Sequence, residues 1–181
     1  MRSDPTPGTA TWDEVPSPIG TFAVAGEGRH VVAVLLPGTW SHAALPTDWR
    51  REPGVLAPAA AQLAEYFDGT RREFDLELEP SGTAFQRSVW TALVAIPFGA
   101  TASYGEVAAA VGNPKASRAV GLANNRNPIA LVIPCHRVIG ADGSLTGYGG
   151  GLEMKTWLLE HERRVLAATA PAMSSRTGGG V

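Results

Sequence analysis

The sequence predicts an α+β protein, with a small mixed domain at residues 11–80 and a mainly helical domain at residues 81–165. Strand and turn signals with a single helix fill the first region, whereas helical spacing of apolar residues dominates the second. The change falls near "EPSGT". The first ten residues and residues 166–181 show no regular apolar pattern, and we expect both ends to be disordered.

The mixed domain is predicted to contain a hairpin, a loop, a helix and a strand, in that order. The segment "IGTFAVAGEGRHVVAVLLPG" has two strand-like runs around the turn-prone "GEGR". Prolines and glycines indicate a loop over residues 37–54. In "APAAAQLAEYFDG", apolar residues recur with helical spacing until Gly69 ends the helix. "REFDLELEP" alternates apolar and acidic residues, so it is predicted to be a half-exposed strand.

Three helices open the helical domain, and the last two are predicted to form a helix-turn-helix. "TAFQRSVWTALVAIPFG" has one apolar face and stops at a proline. In "SYGEVAAAVGN", Ser103 and Glu106 form a capping-box pair at the helix start. We expect Asn113 to cap the next helix and Pro114 to begin it. Paired short helices occur in many DNA-binding proteins, and also in proteins that bind no nucleic acid.

The second helix of this pair has two different faces. One face consists of small apolar residues: Ala116, Ala119, Val120 and Ala123. Lys115, Arg118 and Leu122 lie opposite, and Gly121 leaves the backbone uncovered. Small residues beside long basic ones suit close approach to a DNA groove. A solvated helix face with ordinary charges has the same pattern, so this face alone decides nothing.

A buried run, a glycine-rich loop and a helix complete the domain. "LVIPCHRVIG" is predicted to be a buried strand that Pro134 interrupts and Val138 resumes. "ADGSLTGYGGG" lacks the lysine and the strand–helix order of a phosphate-binding loop. "GLEMKTWLLEHERR" predicts a final helix, one stripe of which contains Met154, Trp157, Leu158 and His161.

Composition limits the classes of protein that this chain can be. One cysteine in 181 residues excludes an internal disulfide framework and every multi-cysteine metal site. No run of about 18 apolar residues and no signal peptide are present, so a cytoplasmic protein without membrane contact is expected. Residues 1–80 hold 6 Lys/Arg and 12 Asp/Glu, and residues 81–165 hold 8 and 5. The resulting charges of −6 and +3 hint that only the second half meets a polyanion.

The single thiol, Cys135, has neighbours that suit a nucleophile, although a lone buried cysteine is most often a small hydrophobe. His136 can accept a proton, and Arg137 adds positive charge, so both are expected to favour the thiolate. Adjacent residues on a strand point opposite ways, so thiol and imidazole meet directly only at a bend, and otherwise through water. A base also needs an orienting group. Spacing alone leaves three carboxylates open for that role: Glu162, Glu160 and Glu106.

The sequence around this thiol resembles the O6-alkylguanine-DNA alkyltransferases, also called methylated-DNA–protein-cysteine methyltransferases. The likeness runs almost continuously over residues 81–163, through "FQRSVWTALVAIPFGATASYGEVAAAVGNPKASRAVGLANNRNPIALVIPCHRVIG" and then "TGYGGGLEMKTWLLEHE". The part from "SPIG" through "LAEYFDGT" looks like the variable first domain of the family. The resemblance implies a ribonuclease-H-like α/β domain followed by a mainly helical, winged-helix-like domain that contains the helix-turn-helix.

The resemblance also implies a reaction and roles for its residues. Cys135 would take the alkyl group from O6-alkylguanine, and from O4-alkylthymine, in a single-turnover reaction. His136 would act as base through a water, and Glu162 would orient His136. Asn127 would hold the turn that carries the thiol, and Tyr104 would protonate or hydrogen-bond the leaving guanine.

For DNA, the resemblance implies binding of a duplex through the minor groove, with the damaged nucleotide rotated out and Arg118 filling the stack. The contact residues would be Lys115, Ala116, Ala119, Gly121 and Leu122. The alkylguanine pocket would be formed by Pro134, Val138, Tyr148, Gly149 and Gly150, with backbone amides near Val138 and Gly149 at the guanine oxygen. A monomer is expected, and whether copies pack cooperatively along DNA stays open.

This chain departs from some family members in ways that bear on function. Some carry serine where Gly149 stands, so a hydroxyl contribution is lost here, and a wider pocket that admits larger alkyl groups is expected. Some bind zinc through cysteines of the first domain, which this chain lacks, so neither metal nor cofactor is expected. Without a second thiol the alkylated cysteine cannot be regenerated. Two other classes stay open: a cysteine hydrolase, and a damage-recognition module without chemistry.

Overall fold

The fold is described from a computed structural model that covers residues 10–169. A five-stranded sheet forms the first part, with strand order β4-β1-β2-β3-β5. Its strands are β1 (Thr11–Ser17), β2 (Gly20–Glu27), β3 (His30–Leu35), β4 (Arg50–Arg51) and β5 (Glu77–Leu78). The helices are α1 (Ala57–Phe67), α2 (Ala84–Val94), α3 (Tyr104–Ala110), α4 (Ser117–Asn125) and α5 (Leu152–Thr169). A small parallel pair, β6 (Ala102–Ser103) and β7 (Val138–Ile139), lies among the helices.

The centre of the sheet is an antiparallel meander of β1, β2 and β3. The predicted hairpin is β2–β3, with a bulge at Gly26, where a side chain would collide with the His30 carbonyl. β1 was not predicted, because its polar residues "TWDEVPS" lack a clear strand pattern. The strand predicted for "REFDLELEP" is wrong in extent, since only Glu77–Leu78 pairs, in parallel with β3.

Helix α1 covers one face of the sheet, and the predicted helix in this region is confirmed. A proline in its first turn suits the start of a helix, where a backbone N–H would have no partner. Leu63 and Tyr66 are fully buried and join Phe22 and Val24 of the sheet in the main core. This core continues without a break into the helical part.

The helix-turn-helix is formed by α3 and α4. Ser103 and Glu106 make the predicted capping box, each accepting a hydrogen bond from the other's backbone. The predicted start of the second helix at Asn113 and Pro114 is wrong. Ala116 N–H donates to the Asn113 carbonyl at 2.9 Å, which closes a separate turn, and α4 begins only at Ser117.

Helix α5 continues to Thr169, beyond the predicted boundary at residue 165. Of its predicted stripe, Leu158 and His161 are buried, whereas Met154 and Trp157 are only half-buried. Lys155 and Glu162, which were not placed on that stripe, are fully buried. Two fully buried polar side chains on one helix indicate that this helix does more than pack against the core. Most of the predicted disordered start, and residues 170–181 of the predicted tail, lie outside the described residues.

Backbone pairing joins the sheet to the helical part. Val34 of β3 donates its N–H to the Pro128 carbonyl at 2.9 Å, and Ala130 N–H donates to the Val34 carbonyl at 3.1 Å. The short β5 leaves this stretch of the β3 edge free to pair. The segment that leads to Cys135 is therefore held against the first domain, and the division at residues 80 and 81 stays a prediction.

Between residues 10 and 169, the helices are all too short or too polar to cross a membrane.

Candidate active site

The segment that carries the thiol is a tight turn, so the strand predicted over "LVI" is wrong. Ile133 N–H donates to the Ile129 carbonyl at 2.9 Å, and Leu131 between them has φ 73°, in the left-handed region. Leu131 is fully buried, so packing stabilises a backbone conformation that costs about 1–3 kcal/mol in a residue with a side chain. Residues Cys135–Arg137 then form one turn of 3₁₀ helix.

Asn127 bridges this turn from one side to the other. Its Nδ2 donates to the Ile133 carbonyl at 2.8 Å, and its Oδ1 accepts the Ile129 N–H at 3.0 Å. Both backbone groups are largely buried, so their pairing matters for the stability of the turn. Asn127 thereby fixes the backbone immediately before Cys135.

His136 and Glu162 lie together with both side chains fully buried. The Nε2 of His136 is 2.8 Å from Oε1 of Glu162. Of the three carboxylates left open by spacing, only this one reaches the imidazole: Glu160 is exposed, and Glu106 caps α3. The last helix thus places its buried carboxylate against the 3₁₀ turn.

The Glu162 carboxylate is surrounded by hydrogen-bond donors. Oε1 accepts from His136, from the Tyr66 hydroxyl at 2.9 Å and from Arg137 Nη2 at 2.9 Å. Oε2 accepts from the Gly99 N–H at 2.7 Å and from Arg137 Nε at 3.1 Å. Burial alone would raise the pKa of this carboxyl, but His136 and Arg137 lower the pKa to about 2. The carboxylate therefore stays ionised at neutral pH.

Arg137 makes its contacts with Glu162 rather than with the thiol, which does not support the expectation that it favours the thiolate. Its guanidinium binds both oxygens of Glu162, and Nη1 donates to the Ile96 carbonyl at 2.7 Å. The guanidinium also lies over the Phe98 ring, 5.7 Å from its centroid. Arg137 balances the buried negative charge that orients His136.

The cation near the thiol is Lys155 of α5, which the sequence analysis missed. Its Nζ donates to the carbonyls of Val138 at 2.6 Å and Thr146 at 2.9 Å, and no carboxylate pairs with it among residues 10–169. Burial raises the pKa of Cys135, and hydrogen bonding by Asn127 and the charge of Lys155 oppose that rise. A lysine within an apolar helix stripe was the available signal.

His136 is arranged to accept a proton. Burial lowers its pKa, and the contact with Glu162 only partly opposes that effect, so the imidazole is neutral at pH 7. With Nε2–H donating to Glu162, the other nitrogen, Nδ1, carries the lone pair. This Nδ1 has no hydrogen-bond partner within the described part of the chain. A buried, unpartnered acceptor next to a nucleophile is what a general base requires.

Cys135 forms part of the wall of a cavity of about 200 Å³. Its remaining lining comes from both parts of the fold: Val34, Leu35, Leu36, Thr39, Asn124, Asn125, Asn127, Ala130, Tyr148 and Gly149. Asn124, not selected from the sequence, donates from Nδ2 to the Cys135 carbonyl at 3.3 Å. Its Oδ1 and the Tyr148 hydroxyl are buried without a hydrogen-bond partner in residues 10–169. Both could pair with a polar ligand.

Three of the five residues predicted for the pocket lie outside this cavity. Pro134 lines a second cavity, of about 390 Å³, beside Arg137. The Val138 N–H is already bonded to the Cys135 carbonyl. Gly150 is a packing position, because a Cβ there would lie 2.5 Å from Met154 Sδ. A Cβ on Gly149 would meet nothing within 4 Å.

Tyr104 lies beside the cavity rather than in its lining. Its hydroxyl donates to the Thr146 carbonyl at 3.3 Å, the same carbonyl that accepts from Lys155. Its ring is also the nearest group to Gly121 of α4, 3.8 Å from where a Cβ would be. Tyr104 therefore connects the helix-turn-helix to the loop next to the thiol.

The outer face of α4 presents Arg118 and Ala119 to solvent, together with Leu122, which is 63% exposed, and the exposed Lys115 lies in the turn before this helix. The placement of Ala119 on the packed face is wrong, since only Val120 and Ala123 of that set are fully buried. Ala116 and Gly121 are half-buried at the edges. Leu122 thus forms an exposed apolar surface between basic and small residues, and nothing in residues 10–169 covers it.

Within residues 10–169, no group of three or more His, Cys, Asp or Glu side chains is placed to hold a metal ion.

Comparison with known proteins matches both parts of the chain. Residues 12–80 match the family model "6-O-methylguanine DNA methyltransferase, ribonuclease-like domain", and residues 84–164 match "6-O-methylguanine DNA methyltransferase, DNA binding domain". The predicted α+β fold class is thereby confirmed.

Individual relatives agree with this assignment. The methylated-DNA–protein-cysteine methyltransferase of Methanosarcina acetivorans is 51% identical over 81% of this chain and 94% of its own. That of Mycobacterium tuberculosis is also 51% identical, over 82% of this chain and 90% of its own. The crystal structure of M. tuberculosis OGT in complex with DNA superposes with a TM-score of 0.81 at 48% identity, covering 86% and 94% of the two chains. The chain therefore belongs to the 6-O-methylguanine DNA methyltransferase family, as its resemblance predicted.

Proposed function

We propose that this protein repairs DNA by moving an alkyl group from O6 of guanine to its own Cys135. The observation that carries the proposal is the position of the thiol: it forms part of a cavity wall, next to a neutral imidazole held by a buried carboxylate. The related crystal structure with the TM-score of 0.81 is a complex with DNA, which supports DNA as the partner of this chain also.

The bonds change in one displacement. The sulfur of Cys135 attacks the alkyl carbon, the new S–C bond forms, and the bond between that carbon and guanine O6 breaks. The thiol proton passes through a water to Nδ1 of His136, which Glu162 stabilises once it is charged. The departing guanine takes up a proton from solvent, and Tyr104 assists by hydrogen bonding after releasing Thr146. The base is needed because burial keeps Cys135 in its thiol form.

Each molecule acts once in this proposal. The product at Cys135 is a thioether, which water does not cleave, and the chain has no second cysteine to displace it. The same thiol would accept the alkyl group of O4-alkylthymine. Transfer therefore consumes the protein in proportion to the damage that it removes.

DNA approaches the exposed face of α4 through its minor groove. The side chain of Arg118 enters the stack as the damaged nucleotide rotates out toward Cys135. The protein works as a monomer on the duplex. It acts in the cytoplasm, where a reducing environment keeps a lone thiol free.

The test mixes purified protein with one equivalent of duplex that contains a single O6-methylguanine, followed by intact and peptide mass measurement. We expect one added methylene on the Cys135 peptide, none with unmodified duplex and none with Cys135→Ala. A second equivalent of damaged duplex should remain unrepaired.

Other outcomes identify the two alternative classes. Binding of the duplex by folded, reduced protein without a mass gain would contradict the proposal and favour a damage-recognition module. Repeated cleavage of a thioester or peptide substrate would favour a cysteine hydrolase.

A further inference from the structure

We propose that Tyr66, in helix α1 of the sheet domain, is a positioning residue for alkyl transfer, because its hydroxyl holds the carboxylate oxygen that orients His136. This inference rests on the proposed function. It gives the first domain a part in the chemistry, although the nucleophile, the base and the carboxylate all come from the second.

The contact is specific and fully buried. The Tyr66 hydroxyl donates to Oε1 of Glu162 at 2.9 Å, and the same oxygen lies 2.8 Å from His136 Nε2. Tyr66 and Glu162 are 96 residues apart in the sequence. Both side chains have no exposed surface, so solvent does not compete for the oxygen.

The tyrosine ring has little freedom to move. It stacks on Phe74 with centroids 5.7 Å apart and contacts the edge of Phe98 at 5.8 Å. His161, the neighbour of Glu162 on α5, donates from Nε2 to the Tyr66 carbonyl at 2.8 Å. The hydroxyl is thereby fixed relative to the helix that carries the carboxylate.

This hydroxyl affects chemistry through the charge on one oxygen. Each donor to Oε1 withdraws some negative charge, so the oxygen attracts the protonated form of His136 less strongly. Burial and the carboxylate keep Tyr66 itself protonated, because both raise its pKa well above the ordinary value. Removal of the hydroxyl should therefore make His136 easier to protonate.

Other charged or titratable groups face this cluster, and Tyr66→Phe changes none of these residues. Arg137 binds Glu162 directly. Cys135 itself and Lys155 face it from the thiol side, and Tyr148 faces it from the cavity. His161 immediately precedes Glu162 on α5. None of them donates to Oε1 except Arg137, which is already bound. Tyr66→Phe is therefore a change of one hydrogen bond in a fixed set of charges.

The experiment compares Tyr66→Phe with wild type and with Gln62→Met. Gln62 lies one turn earlier on the same helix and bonds the backbone of Asp75 rather than the Glu162 carboxylate, so its replacement controls for lost stability in α1. Single-turnover transfer from an O6-methylguanine duplex is measured from pH 6 to pH 8.5 with protein in saturating excess.

We expect the ratio of the rate at pH 6 to the rate at pH 8.5 to fall by about threefold in Tyr66→Phe, since a hydrogen bond to a charged group is lost. The protein concentration that gives half-maximal rate should not change. Gln62→Met should keep the wild-type ratio. A Tyr66→Phe rate that is unchanged, or lowered equally at every pH, would overturn the inference.

A second readout separates this inference from the proposed function. The ¹⁵N signals of the His136 ring are followed by NMR as the pH is lowered, without any DNA. The midpoint of its protonation should lie at higher pH in Tyr66→Phe than in wild type. If wild type transfers no alkyl group, the proposed function fails, and the NMR comparison still decides the role of Tyr66. Equal midpoints would refute it.

Discussion

Replacement of Glu162 by glutamine is the sharpest test of the buried charge cluster. The side chain keeps its shape and loses its charge, so the Arg137 guanidinium remains buried with no carboxylate partner. Glutamine has one amide oxygen and one NH₂ group in place of two acceptor oxygens. It therefore cannot accept all the hydrogen bonds that the carboxylate accepts, including the one from His136. Both stability and transfer should suffer, for reasons that can be measured separately.

The size of the stability loss follows from the depressed pKa. Folding lowers the pKa of this carboxyl from 4.5 to about 2. At 1.36 kcal/mol per unit, that difference corresponds to about 3 kcal/mol. The value agrees with the ~3–5 kcal/mol typical of a buried pair that loses one partner. For a protein of this length, a loss of about 3 kcal/mol lowers Tm by about 6–12 °C.

The pH dependence has a defined sign. The folded pKa lies below the ordinary one, so the unfolded chain binds the proton first as pH falls. The stabilisation is therefore complete above pH 4.5 and is lost as pH falls toward 2. The gap in unfolding free energy between wild type and Glu162→Gln should shrink over the same range.

Denaturant unfolding monitored by circular dichroism at pH 7 and pH 3 measures this gap. Glu160→Gln is the matched control: the same chemical change two positions away, at an exposed residue, expected within about 0.5 kcal/mol of wild type. Single-turnover transfer should fall by at least tenfold in Glu162→Gln only. Equal unfolding free energies for the two variants at pH 7 would show that the carboxylate does not compensate the buried guanidinium.

Four further variants test other features of the site. Lys155→Met removes the cation near Cys135, so the pKa of the thiol should rise further, and its alkylation by iodoacetamide at pH 8 should slow by about threefold or more. Gly149→Ala enters open space and should leave Tm unchanged. Gly150→Ala forces the Met154 thioether to shift, and because that side chain is flexible and half-buried, the loss in a thermal melt should be at most about 1 kcal/mol. Leu122→Glu places a negative charge on the exposed face of α4, and should weaken duplex binding at least tenfold by fluorescence anisotropy with the same Tm; equal affinity would exclude that face from the DNA contact.

Local patterns in the sequence were enough to predict features whose partners are close in the chain. The capping box of α3 joins residues three apart, so its residue types alone identify it. A prediction from residue types alone was wrong at Asn113 and Pro114. There the Asn113 carbonyl accepts from Ala116 N–H and closes a separate turn, instead of starting the helix. The difference lies in tertiary packing of α4, which a local pattern does not contain.

The residues of the site also differ in how well the sequence predicts them. Cys135 and His136 are neighbours, and their resemblance to a known signature identified them together. The choice of Glu162 over Glu160 depends on the rotation of α5 against the 3₁₀ turn, which spacing does not provide. Tyr66 reaches the carboxylate from the other end of the chain, and only the folded structure shows that contact.

The contact between Tyr66 and Glu162 also has a consequence for biosynthesis. The ribosome makes Tyr66 first, then Cys135, and Glu162 only afterwards, and contacts between such distant residues form late in folding. A chain that has the thiol but not yet α5 lacks the carboxylate that fixes the base. The nucleophile is thus synthesised before its base is in position. The nascent protein cannot carry out its single alkyl transfer until α5 has been made.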